Sequence, residues 1–270
     1  MTKVKIFWYL NVDIEVDYDK NVELWIDNYP STPIPENTVR MCLSLEPHPH
    51  ISVKAFFHPE YYDYLLTWKQ EHLDNISKAV FFHGLSDWCG DYIPIKKQFG
   101  VSTVVGSKNE FQGHSMRQAL YFRQEEITIP TKFYLSGNKE WKAIKYTNQP
   151  LLDSHSKNKL WETQFHIAIE NLQATNWFTE KILDCFLTRT IPVYIGAPNI
   201  ASYFNTEGMI ICEDVDDLIN KCNKLNPFLY RSLREPMEDN FIRAQEWTPW
   251  HELLRDKINS ILQEHDKHST

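Results

Sequence analysis

Glycine is scarce in this chain, eight residues in 270, and they never form Gly-x-Gly-x-x-Gly, which excludes the phosphate-binding turn of the dinucleotide oxidoreductases. Cysteine is scarcer still. Cys42, Cys89, Cys185, Cys212 and Cys222 are scattered and odd in number, with no Cys-x-x-Cys, so neither a disulfide framework nor a thiolate zinc site is expected. Reduced thiols fit a cytoplasmic protein, in which the Asn75-Ile-Ser77 sequon stays idle. No run approaches the ~18–20 apolar residues of a membrane span. The opening "MTKVKIFWYLNVDIEVDYD" has too short an apolar stretch and too many early acids for a secretory signal. Basic excess is missing too: the net charge is −8, the wrong sign for a nucleic-acid binder. Repeats and low-complexity tracts are absent.

What is present suffices for a folded enzyme-sized chain. Hydrophobic residues make up 42% and aromatics 14%, enough to exclude compositional disorder. Short apolar runs alternate with helical spacing. Strands are expected at Lys3–Tyr9, Thr38–Leu45, Tyr61–Trp68 and Ala79–His83, then, after a Pro- and Lys-containing passage at 93–100, at 101–106, 130–137, 165–170, 191–195 and 209–212. Helices fit 110–122, 179–188 and 215–225, and Trp250, Leu253, Leu254, Ile258, Ile261 and Leu262 mark a C-terminal amphipathic helix. Such alternation implies parallel sheets with helical crossovers. Two α/β domains, 1–97 and 98–270, are expected.

The segment "FHIAIENLQATNWFTEKILDCFLTRTIPVYIGAP" (165–198) carries the chemistry. Thr179 suits an N-cap, which puts Glu180 and Lys181 in the first turn. A carboxylate there suits the helix dipole, whereas a lysine is locally unfavourable unless an anion sits beside it. Phosphate is the usual occupant of helix starts, bound by Lys as a flexible point charge. On spacing alone, a solvated surface lysine is the plainer reading.

The whole run, about thirty consecutive positions, resembles the signature of the α-1,3/1,4-fucosyltransferases, glycosyltransferase family ten, of the short soluble bacterial or viral type. That family carries Phe-Glu-Asn, a short loop with an aromatic, Thr-Glu-Lys, a helix, and a Pro-Val/Ile-x-x-Gly-x-Pro strand and turn. "SKNEFQGHSMRQALYF" (107–122) resembles the family's Ser-Asn…Arg-x-x-x-Tyr helix, aligning Arg117 with its phosphate-binding arginine. "LSLEPHPH" (43–50) resembles the Glu-Ser-Pro segment of the acceptor half, aligning Glu46 with its catalytic base. Ile169 replaces the usual Phe, Trp177 the usual Tyr, and Pro47 follows Glu46 without an intervening Ser.

The resemblance implies an α/β fold of two facing Rossmann-like domains, GT-B-like, with a cleft between them: residues 1–97 on the acceptor side and 98–270 binding the nucleotide sugar. It implies an inverting transfer of fucose from GDP-fucose to a glycan hydroxyl. Glu46 would take the acceptor proton, and Arg117, Lys181 and the helix start would stabilise the departing GDP. Glu170, Asn171, Trp177 and Glu180 would complete the donor site, Glu180 on the ribose. No cofactor is required on this reading, a divalent metal being at most stimulatory. The partners are a nucleotide sugar and a glycan acceptor, with no nucleic acid and no membrane span.

Two alternatives compete. A metal-dependent glycosyltransferase would use Asp-x-Asp to hold metal and diphosphate. Asp17-Tyr-Asp19 lies in a weakly patterned loop, and Asp214-Val-Asp216 reads better as helix capping, with Asp216 or Asp217 at the cap. A non-catalytic sugar-nucleotide or glycan-binding module would have no need of a base at Glu46. His48 and His50 flank that glutamate but read as exposed loop residues, and Trp88 and Tyr92 could stack on sugar faces.

Overall fold

The structure, a computed structural model, describes residues 1–7, 13–47, 58–84, 87–94, 96–136, 151–152 and 157–269. His48, His50 and the end of the first expected strand lie outside them. The chain divides into two compact units, Met1–Ser86 with Trp247–Thr270, and Asp87–Glu246.

The first unit holds strands β1 (Thr2–Lys3), β2 (Lys5–Phe7), β3 (Glu15–Val16), β4 (Asn21–Ile26), β5 (Thr38–Ser44), β6 (Tyr64–Thr67) and β7 (Ala79–Phe81), with a short helix α1 (Gln70–Asn75) between β6 and β7. β1 and β3 form an antiparallel pair, and the rest make a parallel sheet in the order β2-β4-β5-β6-β7. β4 is unexpected from sequence, because Glu23 interrupts its apolar pattern. Glu23 is nevertheless buried, paired at 2.8 Å with the Nε of Arg40 on the neighbouring strand.

The second unit holds β8 (Gln98–Val105), α2 (Gln112–Phe122), β9 (Thr131–Ser136), β10 (Leu151–Leu152), β11 (Thr163–Ile169), α3 (Glu180–Leu187), β12 (Ile191–Ile195), β13 (Ile210–Ile211), α4 (Val215–Cys222), α5 (Pro227–Ser232) and α6 (Arg234–Gln245). All sheet pairings are parallel, in the order β10-β9-β8-β11-β12-β13. The central strands β11 and β12 are buried on both faces, as parallel sheets under helices require; every residue of Ile191–Ile195 is buried. The chain winds outward from β8 through β9 to β10, then returns to start the other half at β11. The reversal falls between β8 and β11, and ligands of open α/β sheets lie beyond the strands' carboxyl ends at such a point.

The C-terminal helix α7 (Trp250–Ser269) corrects the expected division. Leu254, Ile258, Ile261 and Leu262 pack against Val22, Leu24, Met41 and Leu43 in the first unit's core, each contributing about 1.5–3 kcal/mol by burial. The boundary accordingly lies at residues 86–87, before the Pro- and Lys-containing passage, and the chain returns at Trp247.

Candidate functional site

The sequence-predicted donor residues all follow β8 or β11: Arg117 on helix α2, Glu170, Asn171 and Trp177 in the loop after β11, and Glu180 and Lys181 at the start of α3. Helix α2 follows β8 and docks its start on the end of β11. Gly113 donates its N–H to the Asn171 carbonyl at 3.0 Å, and a Cβ at that position would lie 1.7 Å from the Glu170 carbonyl oxygen. Only glycine permits this approach. One turn along, Arg117 is buried and donates to the Ile169 carbonyl and, at 2.7 Å, to Asn171 Oδ1. Burial draws its guanidinium downward, with Glu170 and Glu180 opposing.

Beyond β11 the sequence forms the N-cap anticipated for Thr179. Its backbone is extended and its hydroxyl accepts from Lys181 N–H at 3.4 Å. Glu170, 1% exposed, sits beneath this cap as a hub. Its carboxylate accepts from Thr179 N–H at 2.8 Å and from the Thr179 hydroxyl at 2.7 Å, with Lys181 Nζ 3.7 Å away. Burial pushes the Glu170 carboxyl up, against the pull of Lys181. Lys181 Nζ donates to Thr179 Oγ1 and Glu180 Oε1, both at 3.1 Å. Burial alone would lower this ammonium, but Glu180 and Glu170 together raise it, so it is cationic throughout the neutral range. Burial likewise disfavours the Glu180 carboxylate, and Lys181 with Lys157 outweighs it and holds Glu180 low.

The structure thus brings Arg117, Glu170, Asn171, Glu180 and Lys181 together. Trp177 lies in the same loop but is buried, at 5% exposure, so its indole packs inward. Glu46 belongs to the other unit, exposed two residues past β5. Asp27 Oδ1 fixes that turn by accepting from Leu45 N–H at 2.8 Å and Glu46 N–H at 2.9 Å.

The Asp-x-Asp triplets take other roles. Asp214, rather than Asp216 or Asp217, caps α4: its carboxylate accepts from Asp217 N–H at 2.8 Å, while Asp216 pairs with Arg123 at 2.6 Å. The cap falls where the backbone is still extended, three residues before the N–H it serves. Asp17 and Asp19 are exposed on either side of buried Tyr18. Among the described residues no group of three His, Cys, Asp or Glu side chains is placed to hold a metal ion, and no helix is long and apolar enough to cross a membrane.

Comparison with known proteins decides the family. The model of glycosyltransferase family 10 (fucosyltransferase), C-terminal part, matches residues 95–254, more than half of the chain. The chain belongs to glycosyltransferase family 10. A curated relative, the alpha-(1,3)-fucosyltransferase FucT of Helicobacter pylori, is 38% identical over 61 residues, a segment covering 22% of this chain and 13% of that protein. Among solved structures, an alpha1,3-fucosyltransferase with GDP-fucose aligns over 83% of this chain and 70% of its own, at TM-score 0.52 and 16% identity. TarM aligns over 88% of this chain and 54% of its own, at TM-score 0.61 and 8% identity. At these identities the likeness is one of fold, and the fold is the GT-B-like α/β class.

Sequence reasoning about this family-10 chain passed over Asp184. One turn beyond Glu180 on α3, its buried carboxylate accepts from Trp88 N–H at 2.9 Å and Cys89 N–H at 3.3 Å. An aspartate four residues after a glutamate on a helix reads as a solvated face, and no sequence signal points to the distant backbone it holds. Burial pushes this carboxyl up to about 7, with the Trp88 N–H pulling down. Below about pH 4 the acid is neutral in folded and unfolded chains alike. From there up to pH 7 the unfolded chain gives up its proton first, so stability falls as pH rises, by about 1.4 kcal/mol per unit. Asp184→Asn should remove that slope. Denaturant melts of variant and wild type at pH 4.5 and 7 are expected to diverge in the variant's favour, and parallel melts would mean Asp184 is charged when folded.

Proposed function

We propose that this family-10 chain is a GDP-fucose-dependent fucosyltransferase that transfers fucose to a glycan hydroxyl with inversion. Arg117 and Lys181 stabilise the GDP leaving group where its charge develops. Asn171 and Glu180 hold the nucleotide's hydroxyl and phosphate oxygens, with Glu180 on the ribose. Glu170 serves by fixing Thr179 and Lys181, and Trp177 by shaping the loop from inside. Glu46 takes the proton from the acceptor hydroxyl as it attacks. GDP leaves as an anion and needs charge stabilisation more than a proton, so one acid–base carboxylate suffices.

One observation carries the reading. Two cations, Arg117 and Lys181, flank the carboxyl end of β11 at the sheet's reversal point, inside the segment that matches the family. Fucose as the sugar is supported by the family and by the GDP-fucose bound in the related structure.

Release of GDP from GDP-fucose in the presence of mixed glycan acceptors tests the activity. Acceptor-dependent release that persists in EDTA is expected, because the protein's own cations serve the diphosphate. Reversible loss of all turnover in chelator would instead require a metal. Binding is tested separately. Lys181→Ala should weaken GDP by the worth of one charge-assisted hydrogen bond, ~1.5–3 kcal/mol, and an unchanged calorimetric affinity would remove Lys181 from the site.

A further inference from the structure

Lys157 helps hold the Glu180 carboxyl low but has no ligand role in the donor reading above. It lies just before β11, in the same unit as the donor loops, and its ammonium sits 3.1 Å from the centroid of the Trp88 ring. Trp88 is itself held in place, since its backbone N–H is bound by Asp184 on α3, yet the residue is 56% exposed. The charged groups acting on Lys157 are Glu180 and Lys181 of the donor site, Asp184 further along α3, and Arg117 of the donor site on α2. Among the described residues, its ammonium has no hydrogen-bond acceptor and no carboxylate within ion-pair distance. A partly buried cation without an acceptor is costly, and an aromatic face offsets only part of that cost.

We propose that Lys157, seated on the Trp88 ring, is a third cation of the anion site formed by Arg117 and Lys181, and binds the diphosphate of the nucleotide sugar. The inference rests on the donor-site reading above and extends it to a residue that precedes the 165–198 segment. Two cations meet a diphosphate only partly neutralised, since Glu170 and Glu180 already face Lys181. A third ammonium, which among the described residues lies on a ring and within ion-pair distance of no carboxylate, is open to the ligand. Burial has lowered its proton affinity to about 8, so a bound anion would draw the proton back.

Calorimetric titration of the full chain with GDP and with inorganic pyrophosphate tests this, using wild type, Lys157→Met and Lys157→Arg. The Met variant keeps the length and loses the charge. It should bind both ligands about tenfold or more weakly, whereas the Arg variant should stay close to wild type. Between pH 7 and 9 wild-type affinity should fall faster than that of the Arg variant, whose guanidinium does not titrate there. A purely structural lysine would show neither the Arg rescue nor the difference in pH slope. Wild-type binding matched by the Met variant would overturn the assignment of Lys157 and leave the donor site standing. A wild type that binds neither GDP nor pyrophosphate would overturn the donor site and this inference together.

Discussion

Glu46→Gln is expected to lower turnover by roughly 10²–10⁴-fold, the usual share of a general base, and to leave affinity for GDP-fucose unchanged. The side chain follows a strand of the first unit, at the carboxyl end of β5, where the turn is set by Asp27 through the Leu45 and Glu46 backbone. Glutamine preserves shape and one carbonyl acceptor but cannot take the acceptor's proton in the transition state. The loss should appear in kcat with saturating acceptor, because the interaction forms only as the hydroxyl is deprotonated. Near wild-type turnover under those conditions would return Glu46 to the status of a surface carboxylate.

Glu170→Ala should be the most damaging change in the second unit. Two donors of Thr179 and the ammonium of Lys181 converge on this buried carboxylate. Truncation leaves the Thr179 N–H buried without its acceptor, at ~1–3 kcal/mol for an unsatisfied group, and opens space under the cap. Lys181 is 24% exposed along its side chain and keeps Glu180, so its share of the loss is reduced by solvent. A total of about 2–4 kcal/mol is expected, with a melting temperature lower by roughly 5–15 °C in a chain this long. GDP affinity should fall as well, because Lys181 is no longer aimed. Glu170→Gln, which retains an acceptor for Thr179, should recover most of the stability and little of the aim of Lys181. An Ala variant that melts with wild type would show that the cap stands without its hub.

What the sequence made legible follows from what local physics dictates. The Thr179 cap, α3 and the Ile191–Ile195 strand were readable because each depends on neighbours within a few residues. The parallel sheet was readable from alternation of strand and helix. β4 was not, because Glu23 resembles a solvated charge until Arg40 on the next strand is seen beside it. The helix α7 was found, yet its attachment was missed: an apolar stripe says that one face is covered and is silent on which sheet covers it. Asp184 and Lys157 were hidden for the same reason. The partners of each, Trp88 above all, lie roughly seventy to a hundred residues away in sequence. In the Asp214 triplet the capping role was legible and the capping residue was misplaced, because acids at 214, 216 and 217 all suit a first turn.

The central claim is that the segments after β8 and β11 bind a guanosine diphosphate sugar through Arg117 on α2 and Lys181 on α3. Thermal shift against a panel of nucleotide sugars measures it most directly, since a ligand that binds only the folded chain raises its melting temperature. GDP-fucose and GDP should stabilise the wild type more than UDP-sugars do, and that stabilisation should largely disappear in the Arg117→Ala, Lys181→Ala double variant. Equal stabilisation of the double variant, or a preference for UDP-sugars, would contradict the account.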